Sequence, residues 1–127
     1  MKGSLERAFG YQDDAMNLPV ADVDAAAPFY ETVLGFHVES REATPHKAVV
    51  LARDQVRMRL VENGGDPSQD GCAFHVTGLT ALLEEFAAKG IQKGASDIKP
   101  EDHGDSKFNV FYVVAPDGLC YWFGEKQ

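Results

Sequence analysis

Two stretches decide the architecture: residues 20–35, VADVDAAAPFYETVLG, and residues 76–90, VTGLTALLEEFAAKG. Each opens on a β-branched residue that ends an apolar strand, crosses a short polar turn, continues with helical apolar spacing and stops at a glycine. In the second, Leu79, Leu82, Leu83 and Phe86 recur at i, i+3, i+4 and i+7, with Glu84, Glu85 and Lys89 on the opposite side, the pattern of a half-buried helix closed by Gly90. In the first, Asp22 or Asp24 supplies an N-cap, Ala26, Phe29, Tyr30 and Val33 form the stripe, and Gly35 ends it. Pro28 is tolerable near the first turn.

Strand-like segments follow each helix. Residues 36–40, 47–52 and 56–62 come after the first, residues 108–114 and 119–123 after the second, joined by the turns Arg53-Asp54-Gln55 and Pro116-Asp117-Gly118. Residues 91–107 are polar and irregular, which predicts a long loop with a short strand at most. Residues 63–70, NGGDPSQD, are punctuated by glycine and proline and read as a linker. The predicted fold class is α+β, two βαβββ modules in tandem with a cleft between half-barrels: a first module at 15–62, the linker 63–70 and a second module at 71–125, within one domain at 15–127 preceded by an N-terminal extension at 1–14.

Composition bounds the function. A chain of 127 residues fits one domain, and 44% hydrophobic, 25% charged and 10% aromatic residues describe a globular protein rather than a disordered or fibrous one. Twenty acidic residues against twelve Lys and Arg give a net charge of −8, a field that repels phosphate backbones and anionic lipid, so neither nucleic acid nor membrane is an expected partner. Residues 1–14 carry no apolar run with a small-residue cleavage site, which predicts a cytoplasmic protein. Cys72 and Cys120 have no metal-ligand spacing and are expected to be free thiols.

The order and spacing of V-x-D-V-D and F-Y-x-x-V-L-G-F (residues 20–36) and of the late A-P-D-G (residues 115–118) resemble the vicinal-oxygen-chelate superfamily, which includes glyoxalase I, extradiol dioxygenases, fosfomycin-resistance enzymes and bleomycin-resistance proteins. The resemblance covers residues 15–125. It departs from the family at Gly78, where a helix-capping Asp is usual, and at Ala115, where the turn usually begins with Asp. It implies four strand positions that hold the metal in catalytic members, and here these are Ala15, Arg59, Gly71 and Trp122. None of the four suits a divalent cation, so neither a metal nor another cofactor is expected.

Strand alternation says what lines the cleft instead. With Leu18, Met58, Leu60, Phe74, Tyr121 and Phe123 toward the core, the candidate ligand-binding residues are Asn17, Arg57, Arg59, His75 and Trp122. Each carries a second reading. Trp122 can simply fill a closed cleft, His75 can be a hydrogen-bonded wall residue or a general base, and Arg57 and Arg59 can be solvated edge charges. His37, His46 and His103 show no ligand spacing and read as surface residues. The closest pattern within the superfamily is the bleomycin-resistance type, which implies a metal-free small-molecule-binding protein that sequesters an antibiotic or other aromatic ligand and works as a homodimer. The alternative is a lyase or isomerase of glyoxalase or epimerase type, with a displaced metal site at His75 and Glu62 or a general base at His75.

Overall fold

A computed structural model describes residues 3–10 and 17–127. Strand β1 (Ser4–Gly10) opens the chain; β2 (Asn17–Pro19), helix α1 (Val23–Thr32), β3 (His37–Glu42), β4 (Ala48–Arg53) and β5 (Val56–Val61) follow. After a 3-10 turn at Pro67–Gln69 come β6 (Gly71–Thr77), α2 (Leu79–Ala88), a second 3-10 turn at Ala95–Asp97, then β7 (Lys99–His103), β8 (Ser106–Val114) and β9 (Cys120–Lys126). One sheet runs β2-β5-β4-β3 and the other β1-β6-β9-β8-β7, so each βαβββ unit builds a sheet of its own.

One element departs from the sequence expectation, and a second, expected only as a short strand, takes its place in the sheet. Within the segment set apart as an extension, Ser4–Gly10 is an edge strand, antiparallel to β6. Its alternation is hidden by a register shift between Leu5 and Arg7. The polar stretch 91–107 contributes β7, whose sequence KPEDH has no apolar alternation because it lies on the other edge of the same sheet.

Each sheet turns one face to a shared core. Leu18, Val49, Leu51, Met58 and Leu60 from the four-stranded sheet pack in one cluster with Phe74, Val76, Phe111, Tyr121 and Phe123 from the five-stranded sheet, together with the stripes of both helices. Rings dominate it: Phe123 stacks on Phe74 and on Phe111 with centroids 5.0 Å apart in both cases. Burying a residue of this size contributes roughly 1.5–3 kcal/mol.

Three polar devices organise the fold, two of them between the units and one within each. Arg53, at the end of β4, donates from Nη1 and Nη2 to both carboxylate oxygens of Glu85 on α2 (2.6 and 2.9 Å), and its Nη1 also reaches the Leu34 carbonyl (2.7 Å). Its guanidinium is 10% exposed and leaves no room for a Cβ at position 35, where Gly35 also needs φ +75°. Asp54 beside it accepts from the Leu5 amide at 2.9 Å and fastens β1 to the hairpin. In the second device the Tyr30 hydroxyl donates to Asp117 Oδ2 (2.7 Å), so the Tyr121 hydroxyl at 2.6 Å donates to Tyr30. Burial pushes the Asp117 carboxyl above its ordinary value, although Leu119 and Tyr30 hydrogen-bond its ionised form.

The third device is repeated in both units. Glu62, just after β5, accepts from the Val23 amide at the start of α1 (2.9 Å), and Glu125 on β9 accepts from the Gly78 and Leu79 amides at the start of α2 (2.9 and 3.0 Å). A carboxylate at a helix N-terminus satisfies orphan amides and meets the positive end of the dipole. Asp22 also caps α1, through the Asp24 and Ala25 amides, whereas Gly78, at φ 68°, offers no side chain, and Glu125 does the capping alone. Glu125→Ala should therefore cost about 1–2 kcal/mol in chemical denaturation, and Glu62→Ala about half as much because Asp22 remains.

Candidate functional site

The faces turned away from the shared core carry the candidate residues. On the five-stranded sheet, every strand contributes to one groove of about 380 Å³: Phe9 from β1, Ala73 and His75 from β6, Trp122 from β9, Phe108 from β8 and His103 from β7. The rings lie against one another, with His75–Trp122 at 5.5 Å, Phe108–Trp122 at 5.4 Å and His103–Trp122 at 5.6 Å between centroids. Phe9 stands 5.1 Å from His75 at the β1 side and is 46% exposed.

Trp122 owes its pose to two neighbours. A Cβ at position 124 would sit 2.1 Å from its Cη2, so the indole lies flat over the bare backbone of Gly124. Its Nε1 donates to Glu101 Oε1 at 2.9 Å, and the same carboxylate takes the Tyr112 hydroxyl on Oε2 (2.6 Å) and contacts His103 Nε2 through Oε1 (2.9 Å). Burial opposes the charge on Glu101, but these three partners together hold its carboxyl below the ordinary value. The Tyr112 hydroxyl, hydrogen-bonded to that carboxylate, is raised to about 12.

His75 and Trp122 thus share the groove, and the other three candidates do not. Asn17, Arg57 and Arg59 lie on the outward face of the four-stranded sheet, on strands whose alternate residues Leu18, Met58 and Leu60 are buried in the core. Arg57 is 71% exposed and forms a two-point ion pair with Glu39 (2.6 and 3.0 Å). Arg59 donates to Glu42 (2.7 Å) and to Asn17 Oδ1 (2.6 Å). Both outward faces point away from one core, so the two sets cannot face each other within one chain.

His103, read from sequence as a surface residue, lines the groove, and Glu101 beneath it was not singled out at all. Both sit on β7, where Pro100 and acidic neighbours mask the strand. A usable signal was Trp122-Phe123-Gly124, since a glycine two places beyond an aromatic residue leaves its backbone open to that ring.

The residues do not fit the metal that the fold family implies. Arg59 is ion-paired, Gly71 has no donor side chain and Trp122 presents an indole to the groove; Ala15 lies outside the described residues. Among the described residues no group of three or more His, Cys, Asp or Glu could hold a metal ion. Glu62 is engaged at the N-terminus of α1, on the unit opposite His75, so the displaced site considered from sequence is not assembled. Cys72 and Cys120 are free; they occupy neighbouring strands but opposite faces, and burial raises the Cys72 thiol to about 12. Among the described residues no helix is long and apolar enough to cross a membrane.

Burial pushes the His75 imidazole below its ordinary 6.5, and the nearby charges of Arg7 and His103 push it the same way. The folded chain therefore refuses a proton that the unfolded chain takes, and stability is lost as the pH falls from that value. His75→Gln should show a smaller drop in thermal midpoint than the parent between about pH 7 and pH 5.

A family model described as bleomycin resistance protein-like N-terminal matches residues 15–45. No curated protein matches the chain in sequence. Among solved structures, the bleomycin resistance determinant encoded on the transposon Tn5 superposes with a TM-score of 0.66 at 27% identity, covering 91% of this chain and 99% of that one. A bleomycin-binding protein complexed with bleomycin gives 0.64 at 23% identity, covering 91% and 100%. A fosfomycin resistance protein from Listeria monocytogenes, complexed with Mn(II) and a dihydroxypropylphosphonic acid, gives 0.61 at 12% identity, covering 88% and 89%, a likeness of fold alone. Paired βαβββ units, helices started by carboxylates from the ends of the sheets and outward-facing sheet surfaces come together with these similarities: the chain has the bleomycin-resistance/glyoxalase fold and is similar to the bleomycin-resistance proteins of the vicinal-oxygen-chelate superfamily.

Proposed function

We propose that this chain is a metal-independent small-molecule-binding protein that holds an aromatic ligand against Trp122, and that the ligand is an antibiotic or a molecule of similar ring chemistry. The observation that supports this most is the groove itself: rings drawn from all five strands, with the indole fixed from below by Gly124 and from the side by Glu101. Rings held in place before binding lose little conformational entropy when a flat molecule stacks on them, and such contacts add roughly 0.5–1.5 kcal/mol beyond area burial.

The working unit in this proposal is a homodimer. The groove face exposes Phe9, Tyr112 and Val114, which are 46%, 43% and 65% accessible. The outward face of the four-stranded sheet, with Asn17, Arg57 and Arg59, is the complementary half of a cleft. One protomer's four-stranded sheet then roofs its partner's groove, and two equivalent sites form. Sedimentation at micromolar concentration should give a dimer, and a stable monomer would remove the roof from this proposal.

Binding should perturb the fluorescence of Trp122, the single tryptophan. For an aromatic antibiotic that raises the thermal midpoint, Trp122→Ala should weaken binding about tenfold or more, and Trp122→Phe should keep part of it. Chelator treatment should leave both the midpoint and the affinity unchanged. Equal affinity in Trp122→Ala, or a midpoint that falls on chelation and recovers with one divalent ion, would contradict the proposal.

A further inference from the structure

We infer that Glu101 is a specificity-determining residue of the Trp122 groove, selecting ring ligands that carry a positive charge over neutral and anionic rings of the same shape. The inference rests on the groove being the ligand site and adds the class of ligand that it takes.

The carboxylate gathers three donors, the Trp122 indole N–H and the His103 imidazole from the groove wall and the Tyr112 hydroxyl from beside it. Its side chain is 28% exposed, so the charge is only partly hydrated and sits directly against two lining rings. An indole that donates its N–H to a carboxylate becomes more electron-rich, which strengthens the attraction of its face for a cation. A cationic ring on that face gains twice, from the indole quadrupole and from the Glu101 charge at its edge.

The other charges of this face do not offset Glu101. By strand alternation Arg7 on β1, Lys99 on β7 and Lys126 on β9 share the outward face, all three exposed, where water and salt screen them, and half-buried Lys93 stands beside Cys120, Tyr112 and Val114, outside the groove lining. Burial keeps His75 from protonating at its ordinary pH, and His103 contacts the Glu101 carboxylate itself. If a partner copy roofs the groove, it brings Arg57 and Arg59 already paired with Glu39 and Glu42.

Equilibrium dialysis near neutral pH with three ring probes tests this: cationic 1-methylquinolinium, neutral quinoline and anionic naphthalene-1-sulfonate. The parent should bind the cation about tenfold more tightly than the neutral ring, and the anion more weakly than either. Glu101→Gln keeps an acceptor for the indole N–H and removes the charge, so the cation should lose several-fold more affinity than quinoline does and fall to within about twofold of it. Glu101→Asp should retain part of the preference, and Arg7→Gln should retain all of it. A preference that survives Glu101→Gln would assign it to the whole-chain charge and overturn the inference. A loss of quinoline binding equal to that of the cation would make Glu101 a support for ring shape only. If none of the probes binds the parent, the groove is not a ring site, and the parent reading fails before the role of Glu101 is reached.

Discussion

Both sheets must bury one face in the same core. The alternation of side chains along a strand then leaves each sheet a second face pointing away from that core, and the residues on it are free for other work. This constraint explains why Phe74 and Phe123 are packed in the interior while their neighbours His75 and Trp122 line a groove. It explains equally why Met58 and Leu60 are buried while Arg57 and Arg59 reach outward. A ligand site that uses both outward faces is, for this chain, a property of two copies.

Hydrophobic burial fixes neither the angle between the units nor the helix starts, and the polar groups described above do that. Arg53 ties the β4–β5 hairpin to α2 and to the end of α1, while Tyr30, Asp117 and Tyr121 tie α1 to the second unit. Charge-assisted bonds in partly buried surroundings contribute more than surface pairs such as Arg57–Glu39, which water screens. Glu62 and Glu125 do for the two helices what a single capping residue usually does, which is why the second unit tolerates Gly78 where a capping Asp is expected.

Much of this could be read from the chain. The helix stripes at residues 20–35 and 76–90, the turns at Asp54 and Asp117, and the outward direction of His75 and Trp122 follow from periodicity, because periodicity reports which side of an element is buried. Periodicity does not report which sheet a strand joins, so Asn17, Arg57 and Arg59 were grouped with residues on another sheet. It also fails at edges: β1 carries a register shift at Leu5 and Arg7, and β7 is polar on both sides. Glu101 and His103 went unrecognised for that reason, and with them the hydrogen bond that sets the pose of Trp122.

In the proposed function the ligand sits on the outward face of the five-stranded sheet. A second depression, lined by Asp22, Ala25, Phe29 and Asp117 at the start of α1, is the competing location. The most direct measurement is a two-dimensional 1H-15N spectrum of labelled protein titrated with an aromatic binder, since the lone tryptophan gives a single indole N–H resonance. With the ligand in the groove, this resonance should move together with the backbone amides of Ala73, His75 and Phe108. An indole resonance that stays fixed while the amides of Ala25, Phe29 and Asp117 shift would contradict that placement.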